Sequence, residues 1–281
     1  MGIADVPGLL PGEGPLVMGI VNVTPDSFSD GGRYLKAVDA IARGRELAAQ
    51  GAAFVDVGGE STRPGAPAVA AQQELSRVLP VIEALAAEGI PVSIDTSKPA
   101  IMRAAVEAGA CLVNDVCALT EPDALETIAD LGVGVCLMHM QGNPCTMQQA
   151  PTYDDVTGEI NAFLASRITA CLAAGINRSK LLVDPGFGFG KTLEHNYTLM
   201  RELPRFHDLG VPILVGLSRK GFVRVLAQAE HEESVAQLSA LLAVLAVERG
   251  ARVVRVHEVE ITRRFLDTWV ALQRPNSGTS S

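Results

Sequence analysis

Short apolar segments rich in β-branched residues alternate with longer, Ala-rich amphipathic segments all the way from Leu16 to Leu272. This alternation is typical of parallel strands joined by helical crossovers. Eight segments have the length and composition of strands: Leu16–Asn22, Phe54–Gly58, Pro91–Asp95, Cys111–Asp115, Gly134–Met138, Leu181–Asp184, Val211–Gly216 and Arg252–Val256.

The segments that follow these strands carry apolar residues at helical spacing. The predicted helices are Leu35–Gln50, Gln72–Glu88, Pro99–Ala108, Pro122–Leu131, Tyr153–Ala174, Leu193–Leu203, Arg219–Gly250 (expected to hold two helices) and Glu260–Gln273. Glycines suited to ending a helix follow or close six of them: Gly51, Gly89, Gly109, Gly132, Gly175 and Gly250.

Eight β/α units fill the 281 residues and leave no linker for a second domain. The pattern favours an α/β, single-domain (β/α)8 TIM barrel over a doubly wound sheet, which typically has fewer strands. We expect the barrel to span residues 15–273, between a flexible N-terminus (1–14) and a flexible C-terminal tail (274–281).

Composition limits the partners of such a barrel. The formal net charge of −9 argues against a general attraction to nucleic acid or anionic lipid. The apolar segment Leu238–Val247 is far shorter than the ~20 residues that cross a bilayer. The five cysteines are odd in number and include no C-x-x-C pair, which predicts reduced thiols and a cytoplasmic location.

Polar residues gather where the predicted strands end. They are Asn22, Asp95, Asn114, Asp115, Asp184, Arg255 and His257. Any one of them could simply end a strand or cap a helix. Because barrel active sites lie at the C-terminal ends of the strands, their repetition predicts an active site at that face.

The loops after these strands have distinctive sequences. In chain order they are MGIVNVTPDSFSDGG (Met18–Gly32), GGESTRPGA (Gly58–Ala66), SIDTSKP (Ser93–Pro99), ND (Asn114–Asp115), LMHMQGNP (Leu137–Pro144), DPGFGFGK (Asp184–Lys191), GLSRKGF (Gly216–Phe222) and RVH (Arg255–His257). Over residues 15 to 272 this series closely resembles the bacterial dihydropteroate synthase family. The chain departs from the family at Glu258, where the family usually has Asp, and between Gly221 and Glu233.

The resemblance implies an activity and its ligands. Family members join p-aminobenzoate to a dihydropterin pyrophosphate in folate biosynthesis, releasing pyrophosphate. The implied cofactor is Mg²⁺, the implied partners are these two small molecules, and the implied assembly is a homodimer formed through helices on the outside of the barrel. Asp95, Lys220, Arg255 and His257 are the residues to which the resemblance gives catalytic roles.

A pterin presents an N–C–N edge with several hydrogen-bond donors, for which Asp95, Asn114 and Asp184 are complementary acceptors. Asp95 can also stabilise positive charge that grows as pyrophosphate departs. Met138 and Phe189 are expected to pack on the ring faces, although each is equally a typical core residue. The resemblance adds Gly216, Thr62 and Arg219 as further substrate contacts.

Pyrophosphate calls for cationic donors. Arg63, Arg255 and His257 are expected to supply charge-assisted hydrogen bonds, and Asn22 is the expected Mg²⁺ ligand. For the benzoate, Ser218 and the following amides are expected at a helix N-terminus that receives the carboxylate.

Lys220 is expected to reach the pterin carbonyl while its stem covers the benzoate ring, and the resemblance places Phe28 and Pro64 above that ring. The DPGFGFGKT segment is not a Walker A loop, because Pro185 stands where the first glycine is required. His139, His195, His207 and His231 lack metal-ligand spacing and are expected to be structural or exposed.

Two alternatives remain open. One is a pterin-binding barrel that transfers a methyl group from a reduced folate, which would have no reason to gather Arg63, Arg255 and His257 around a diphosphate. The other is a catalytically silent paralogue that only binds a pterin or a partner. Such a paralogue should have lost some charged loop residues, and this chain has all of them.

Overall fold

The computed structural model describes residues 14–24, 33–63, 65–228 and 231–273. Eight strands form a closed parallel barrel in chain order, which confirms the predicted (β/α)8 fold. Four strands have their predicted bounds and four differ only at their first residue. The strands are β1 Leu16–Asn22, β2 Phe54–Gly58, β3 Val92–Asp95, β4 Leu112–Asp115, β5 Gly134–Met138, β6 Leu181–Asp184, β7 Ile213–Gly216 and β8 Ala251–Val256.

The helices surround this barrel. Within the described residues they are α1 Arg33–Ala49, α2 Ala71–Ala87, α3 Pro99–Glu107, α4 Ala124–Leu131, α5 Val156–Ala173, α6 Leu193–Arg201, α7 Gly221–Leu226, α8 Glu232–Glu248 and α9 Val259–Gln273. Short 3-10 helices cover Arg178–Lys180 and Leu203–Leu209. The predicted split of 219–250 into two helices is confirmed by α7 and α8.

Helix boundaries depart from prediction where local polar chemistry competes with periodicity. Helix α4 begins at Ala124 rather than Pro122, because Asp123 has a left-handed φ of 65°. Helix α5 begins at Val156 rather than Tyr153, because the Asp155 carboxylate caps it by accepting from the Gly158 amide at 3.0 Å.

Two apolar layers separate the inside of the barrel from its helical shell. The inner layer is one buried cluster of Leu16, Met18, Phe54, Cys111, Leu112, Cys136, Leu182, Leu214 and Val253. Alternate strand residues such as Val17, Val55 and Val113 point outward into a larger cluster shared with the helices. Since both faces of each strand are buried, the strands read as nearly continuous apolar segments.

The inner layer also determines where polar side chains enter the barrel. Side chains on a strand return to the same face every second residue, so the next inward positions lie nearer the strands' C-terminal ends. The residues two positions after Phe54, Leu112, Leu182 and Val253 are Asp56, Asn114, Asp184 and Arg255. A polar layer therefore lies directly above an apolar floor.

Three features of the prediction lie partly or wholly outside the described residues: Phe28, Pro64 and the termini at 1–13 and 274–281. Among the residues that the structure does describe, no helix is both long and apolar enough to span a bilayer.

Candidate active site

The centre of the polar layer is an ion network around Arg255. Its Nε donates to Asp56 Oδ2 at 2.6 Å and its Nη2 to Asp95 Oδ2 at 2.7 Å. Asn114 Nδ2 also donates to Asp56 Oδ2, at 3.3 Å. Strand register supports this geometry, because Asp95 pairs with Asn114 and Gly216 pairs with Arg255 on adjacent strands. The network joins four strands at the barrel mouth.

Burial perturbs the ionisable groups of this network. Burial raises the pKa of Asp95 to about 7, against the opposing effect of Arg255. Burial and the nearby Arg255 lower the pKa of Lys220 to about 8. An acid and a base whose pKa values both approach neutrality are typical of a functional site.

Asp184 ends β6 beside this network, facing Met138 across the strand pair. Its Oδ1 accepts from the Gly186 amide at 2.7 Å, and burial raises its pKa to about 6. Gly186 has a φ of 71°, and a Cβ there would lie 1.8 Å from the His139 carbonyl oxygen. Only glycine fits this turn, which holds the Asp184 carboxylate in place.

Met138 and Phe189 lie together in an apolar cluster that also contains Val116 and Met147. The Lys220 Nζ lies 3.7 Å from the centre of the Phe189 ring, within cation–π distance. The structure thus brings the predicted ring-packing residues next to the predicted pterin acceptors.

His257 lies on the other side of Arg255, with its Nδ1 3.0 Å from the Ser218 hydroxyl. Burial, then Arg255, lowers the pKa of His257 to about 3. A buried imidazole among cations is neutral in the ligand-free site, so a charge-assisted bond from His257 would need the anion to be present, and this role stays a prediction. Glu258 supports the same segment by pairing with Arg219 and by accepting from Ser218 at 3.4 Å.

The helix that was expected to start at Arg219 starts two residues later. Arg219 has a φ of 57° and its amide donates to Ser239 Oγ at 3.2 Å, so α7 begins only at Gly221. The Lys220 amide donates to the Leu217 carbonyl at 3.2 Å. The amides of residues 219 and 220 are therefore already bonded within the protein.

The loop after β2, which carries Thr62 and Arg63, is anchored by a buried ion cluster. Lys98 Nζ lies 2.5 Å from Glu60 Oε2 and 2.6 Å from Glu74 Oε2, whose side chain has no exposed surface. Glu60 also accepts from the Val69 amide at 2.7 Å. The base of the loop is fixed, while Arg63 itself is exposed.

Thr62 lines three cavities at this face of the barrel. One of about 130 Å³ is lined by Asn22, Arg63, Asp95, Ser218, Arg255 and His257, among others. A larger one of about 760 Å³ is lined by Arg63, Phe189, Arg219, Lys220 and Phe222, among others. Ser218 therefore lies with the predicted diphosphate residues rather than with the predicted benzoate residues. A third, of about 540 Å³, lies between Thr62, Asp95 and Pro144.

Sequence reasoning missed Asp56, Glu74 and Lys98. Asp56 had a usable signal, since it is a carboxylate inside the apolar segment FVDVG. Asp115, which also ends a strand, proves structural: it accepts from the Ser97 hydroxyl at 2.5 Å and the Leu119 amide at 2.7 Å.

His139 is buried, whereas His207 and His231 are exposed and His195 is half-buried, in agreement with their predicted structural or exposed character. No group of three His, Cys, Asp or Glu residues within the described parts of the chain could hold a metal. Asn22 is one of the residues that line the smaller cavity.

Comparisons with known proteins identify the family. The family model described as pterin binding enzyme matches residues 18–257. The dihydropteroate synthase of Escherichia coli (strain K12) is 50% identical over 249 residues, covering 88% of each chain. That of Mycobacterium leprae (strain TN) is 46% identical over 254 residues, covering 86% of this chain and 88% of the relative.

Solved structures agree with the sequence relatives. A dihydropteroate synthase of Xanthomonas albilineans with 4-aminobenzoic acid superposes with a TM-score of 0.89 at 52% identity, over 94% of each chain. The same organism's enzyme in complex with 7,8-dihydropteroate gives 0.86 at 48% identity, over 96% of this chain and 98% of that one. A Yersinia pestis enzyme with a sulfonamide drug complex gives 0.87 at 48% identity, over 92% and 94%.

Proposed function

Because this chain belongs to the dihydropteroate synthase family, we propose that its barrel mouth condenses 6-hydroxymethyl-7,8-dihydropterin pyrophosphate with p-aminobenzoate. The products are 7,8-dihydropteroate and pyrophosphate, a step of folate biosynthesis. The enzyme is a transferase. One observation carries the proposal: carboxylates for a pterin and cations for a diphosphate meet in one layer, where Arg255 bonds Asp56 and Asp95.

The pterin subsite is formed by Asp95, Asn114 and Asp184 above the inner apolar layer. The carboxylates accept hydrogen bonds from the N–C–N edge, and the bidentate fit selects a pterin over a ring that lacks adjacent donors. Met138 and Phe189 cover the faces of the ring, since both lie in the apolar cluster beside Asp184. The backbone at Gly216 leaves room for the ring edge.

The diphosphate subsite is the smaller cavity, which Arg63 and Arg255 both line. Thr62 adds a hydroxyl from the same loop. His257 enters as a neutral donor, and the arriving phosphate charge raises its pKa because an anion favours the imidazolium. Ser218 keeps the imidazole oriented through Nδ1.

Mg²⁺ fits this subsite as an ion held mainly by the substrate. Hard cations take oxygen ligands and retain several waters, so a single protein oxygen with diphosphate oxygens is sufficient. Asn22, which lines the cavity, would hold it. When bound, the ion neutralises charge on the diphosphate leaving group.

The chemistry is a displacement at the exocyclic methylene carbon of the pterin. The carbon–oxygen bond breaks and its electron pair leaves with pyrophosphate, while the aryl amine forms the new carbon–nitrogen bond and loses a proton to solvent. Arg255 and Arg63 stabilise charge on the leaving group, and the Asp95 carboxylate stabilises positive charge on the pterin. An aryl amine is already a neutral nucleophile at pH 7, so no general base is required.

The benzoate subsite is the larger cavity, which is open toward solvent and lined by cations. Lys220 covers the aromatic ring with its stem while its ammonium reaches the pterin carbonyl, and Arg63 and Arg219 face the carboxylate. Phe28 and Pro64, which lie outside the described residues, complete this subsite in the proposal.

A product assay separates this function from its alternatives. The purified chain is incubated with the pterin pyrophosphate and p-aminobenzoate, with and without a chelator, and dihydropteroate and pyrophosphate are both quantified. We expect equal amounts of the two products, lost with the chelator and restored by Mg²⁺. Methyl transfer from a reduced folate, or pterin binding without any product, would refute the assignment.

We further propose that the enzyme is a homodimer formed through its outer helices. Exposed apolar side chains on three consecutive helices support this: Leu226 on α7, Leu241 on α8, and Phe265 and Leu272 on α9. Sedimentation equilibrium should give twice the chain mass, and a monomer at micromolar concentration would contradict it. The cytoplasmic location stays a prediction from the cysteine pattern.

A further inference from the structure

The lysine that ends the DPGFGFGK segment has no part in the displacement, yet it is almost fully buried in the wall of the larger cavity. Lys191 retains only 3% of its surface exposed. Its Nζ donates to the Phe189 carbonyl at 2.9 Å and contacts His139 Nδ1 at 3.1 Å. It lies behind the Asp184 turn, because a Cβ on Gly186 would be 3.4 Å from the same nitrogen.

A buried ammonium is costly unless an anion compensates it, and a neutral apolar side chain of similar length avoids that cost. Holding the loop does not require a charge here. The loop is already fixed by Asn196 Oδ1, which accepts from the Gly188 amide at 2.7 Å, and by the Tyr153 hydroxyl, which donates to the Gly190 carbonyl at 2.8 Å. The charge of Lys191 therefore calls for a separate explanation.

The anion is Asp184. Its carboxylate acts on Lys191 electrostatically and favours the ammonium, while burial of Lys191 opposes it and lowers its pKa to about 7. The same pairing acts in reverse, because Lys191 together with Lys220 and Arg255 lowers the pKa of Asp184 against the effect of burial. His139 accepts rather than competes, since burial lowers its pKa to about 3 and leaves it neutral.

Lys191 lines the larger cavity as Lys220 does, but it differs from the other two cations because its ammonium is already bonded to the Phe189 carbonyl and to His139. Arg255 is already shared between Asp56 and Asp95. Lys220 lies on the cavity side of Phe189 and, in the proposed function, turns to the substrates. When Lys220 and Arg255 engage the substrate, Lys191 is the remaining cation beside Asp184.

We propose that Lys191 is a positioning residue for pterin recognition: its ammonium, held by His139 and the Phe189 carbonyl, is the counter-ion that keeps the Asp184 carboxylate ionised and aimed at the pterin. It acts through Asp184 and through the backbone of Phe189 and touches no reacting atom. The inference rests on the proposed function, because it assumes that Asp184 accepts from the pterin.

The experiment compares Lys191→Met and Lys191→Gln, which remove the charge, with Lys191→Arg, which keeps it. The matched control is Lys180→Met, which removes a lysine whose ammonium donates to the Gly132 carbonyl at the opposite end of the barrel. Calorimetry measures the affinity of each protein for the pterin pyrophosphate and, with pyrophosphate present, for p-aminobenzoate, from pH 5.5 to pH 9.

Both neutral variants should bind the pterin pyrophosphate roughly tenfold or more weakly at pH 7, the scale of losing one charge-assisted interaction. Removing a neighbouring cation raises the pKa of Asp184, so the pH below which pterin binding weakens should move upward by about one unit. Affinity for the pterin pyrophosphate should fall more than affinity for p-aminobenzoate, whose cavity Lys191 also lines. Lys191→Arg and Lys180→Met should keep the native pH dependence.

A uniform loss of pterin affinity at every pH would overturn the proposal, because it would indicate that Lys191 only supports packing. Native pterin affinity in the neutral variants would overturn it as well. Circular dichroism shows whether the neutral variants fold, and if neither does, the test is made on the native enzyme. The side-chain ¹⁵N resonance of Lys191 is assigned by its absence from the spectrum of the Lys191→Arg protein. At pH 6, with the pterin pyrophosphate bound, this resonance should be that of an ammonium. A neutral amine there would overturn the proposal.

Dihydropteroate formation by the unmodified enzyme is recorded in the same series. Failure of the native chain to make product would refute the proposed function. Product formation by the native chain, together with neutral variants that behave like Lys180→Met, would refute only the role of Lys191.

Discussion

At the scale of single residues, Arg255 has two tasks that depend on each other. It neutralises Asp56, whose side chain is fully buried, and Asp95, whose side chain is 10% exposed. It also lines the cavity proposed for the diphosphate. A cation already held by two carboxylates is preorganised and needs little rearrangement when the leaving group develops charge.

Arg255→Ala should lower kcat/KM by roughly 10²-fold or more, the scale of one preorganised charge contact. It should also destabilise the fold by about 3–5 kcal/mol, because two buried carboxylates lose their partner. Steady-state kinetics and chemical denaturation measure the two effects. Native kinetics would assign Arg255 to structure alone.

The destabilisation by Arg255→Ala has a definite pH dependence. Without Arg255, the pKa of Asp95 rises further above its unfolded value, so the folded variant binds more protons than the unfolded chain. Stability of the variant should therefore fall as pH rises through 7 and recover toward pH 5. Denaturation of variant and native enzyme at pH 5, 7 and 9 tests this, and a loss that is constant across pH would contradict it.

Lys220 is proposed to contact both substrates. Its Nζ lies over Phe189 and its carbon stem passes Gly188, where a Cβ would be 3.2 Å from its Cδ. Lys220→Gln should weaken binding of both the pterin pyrophosphate and p-aminobenzoate by about ten- to a hundredfold. Separate titrations of the two substrates measure this. Native affinity for the pterin pyrophosphate would show that Lys220 serves only the benzoate.

At the scale of elements, the strands could be predicted because each alternates between two buried faces and therefore stands out as a short apolar segment. Helix starts were harder, since they depend on single residues such as Asp123 and Arg219 whose left-handed φ values periodicity does not reveal. The site residues on strand ends followed from the barrel rule. The ion cluster of Lys98 and Glu74 did not, because it joins a loop to helices far apart in sequence.

The Lys98 cluster is predicted to preorganise the loop that delivers Arg63. Lys98→Met should weaken pyrophosphate binding, and with it pyrophosphate-dependent binding of p-aminobenzoate, by roughly tenfold, because a looser loop loses more entropy on binding. Calorimetry should find that the affinity for a pterin without its pyrophosphate group is unchanged. Arg103→Met is the control, since Arg103 lies on α3 with a 46% exposed side chain. Equal losses in both variants would argue against the anchoring role.

At the scale of the whole molecule, the fold gathers six charged groups at the mouth of the barrel. The chain carries a net charge of −9, yet the mouth of the barrel sets Arg255, Lys220 and Lys191 against Asp56, Asp95 and Asp184. The acidic surface keeps small anionic substrates from binding generally, whereas the buried cations attract them to one face. A closed barrel holds these six groups at fixed distances because each lies on a strand or on the loop that follows it.

The pH profile of the enzyme should reflect these buried carboxylates. Burial raises the pKa of Asp95 to about 7 and of Asp184 to about 6. In the proposed function both accept from the pterin as carboxylates, and protonation turns one oxygen of each into a donor. We therefore expect kcat/KM for the pterin pyrophosphate to fall as pH decreases from 7.5 to 5.5. Rates in buffers of constant ionic strength test this. A profile that is flat over this range would exclude a need for ionised carboxylates near these pKa values.

The most direct test of the account is a single-turnover experiment with excess enzyme and the pterin pyrophosphate, in the presence of p-aminobenzoate and Mg²⁺. Native enzyme should form one dihydropteroate and one pyrophosphate for each pterin consumed, with matching time courses. Asp184→Asn, which keeps the shape of the side chain and removes its charge, should slow both together by at least tenfold. Pyrophosphate release without dihydropteroate, or native rates in Asp184→Asn, would contradict the proposed site.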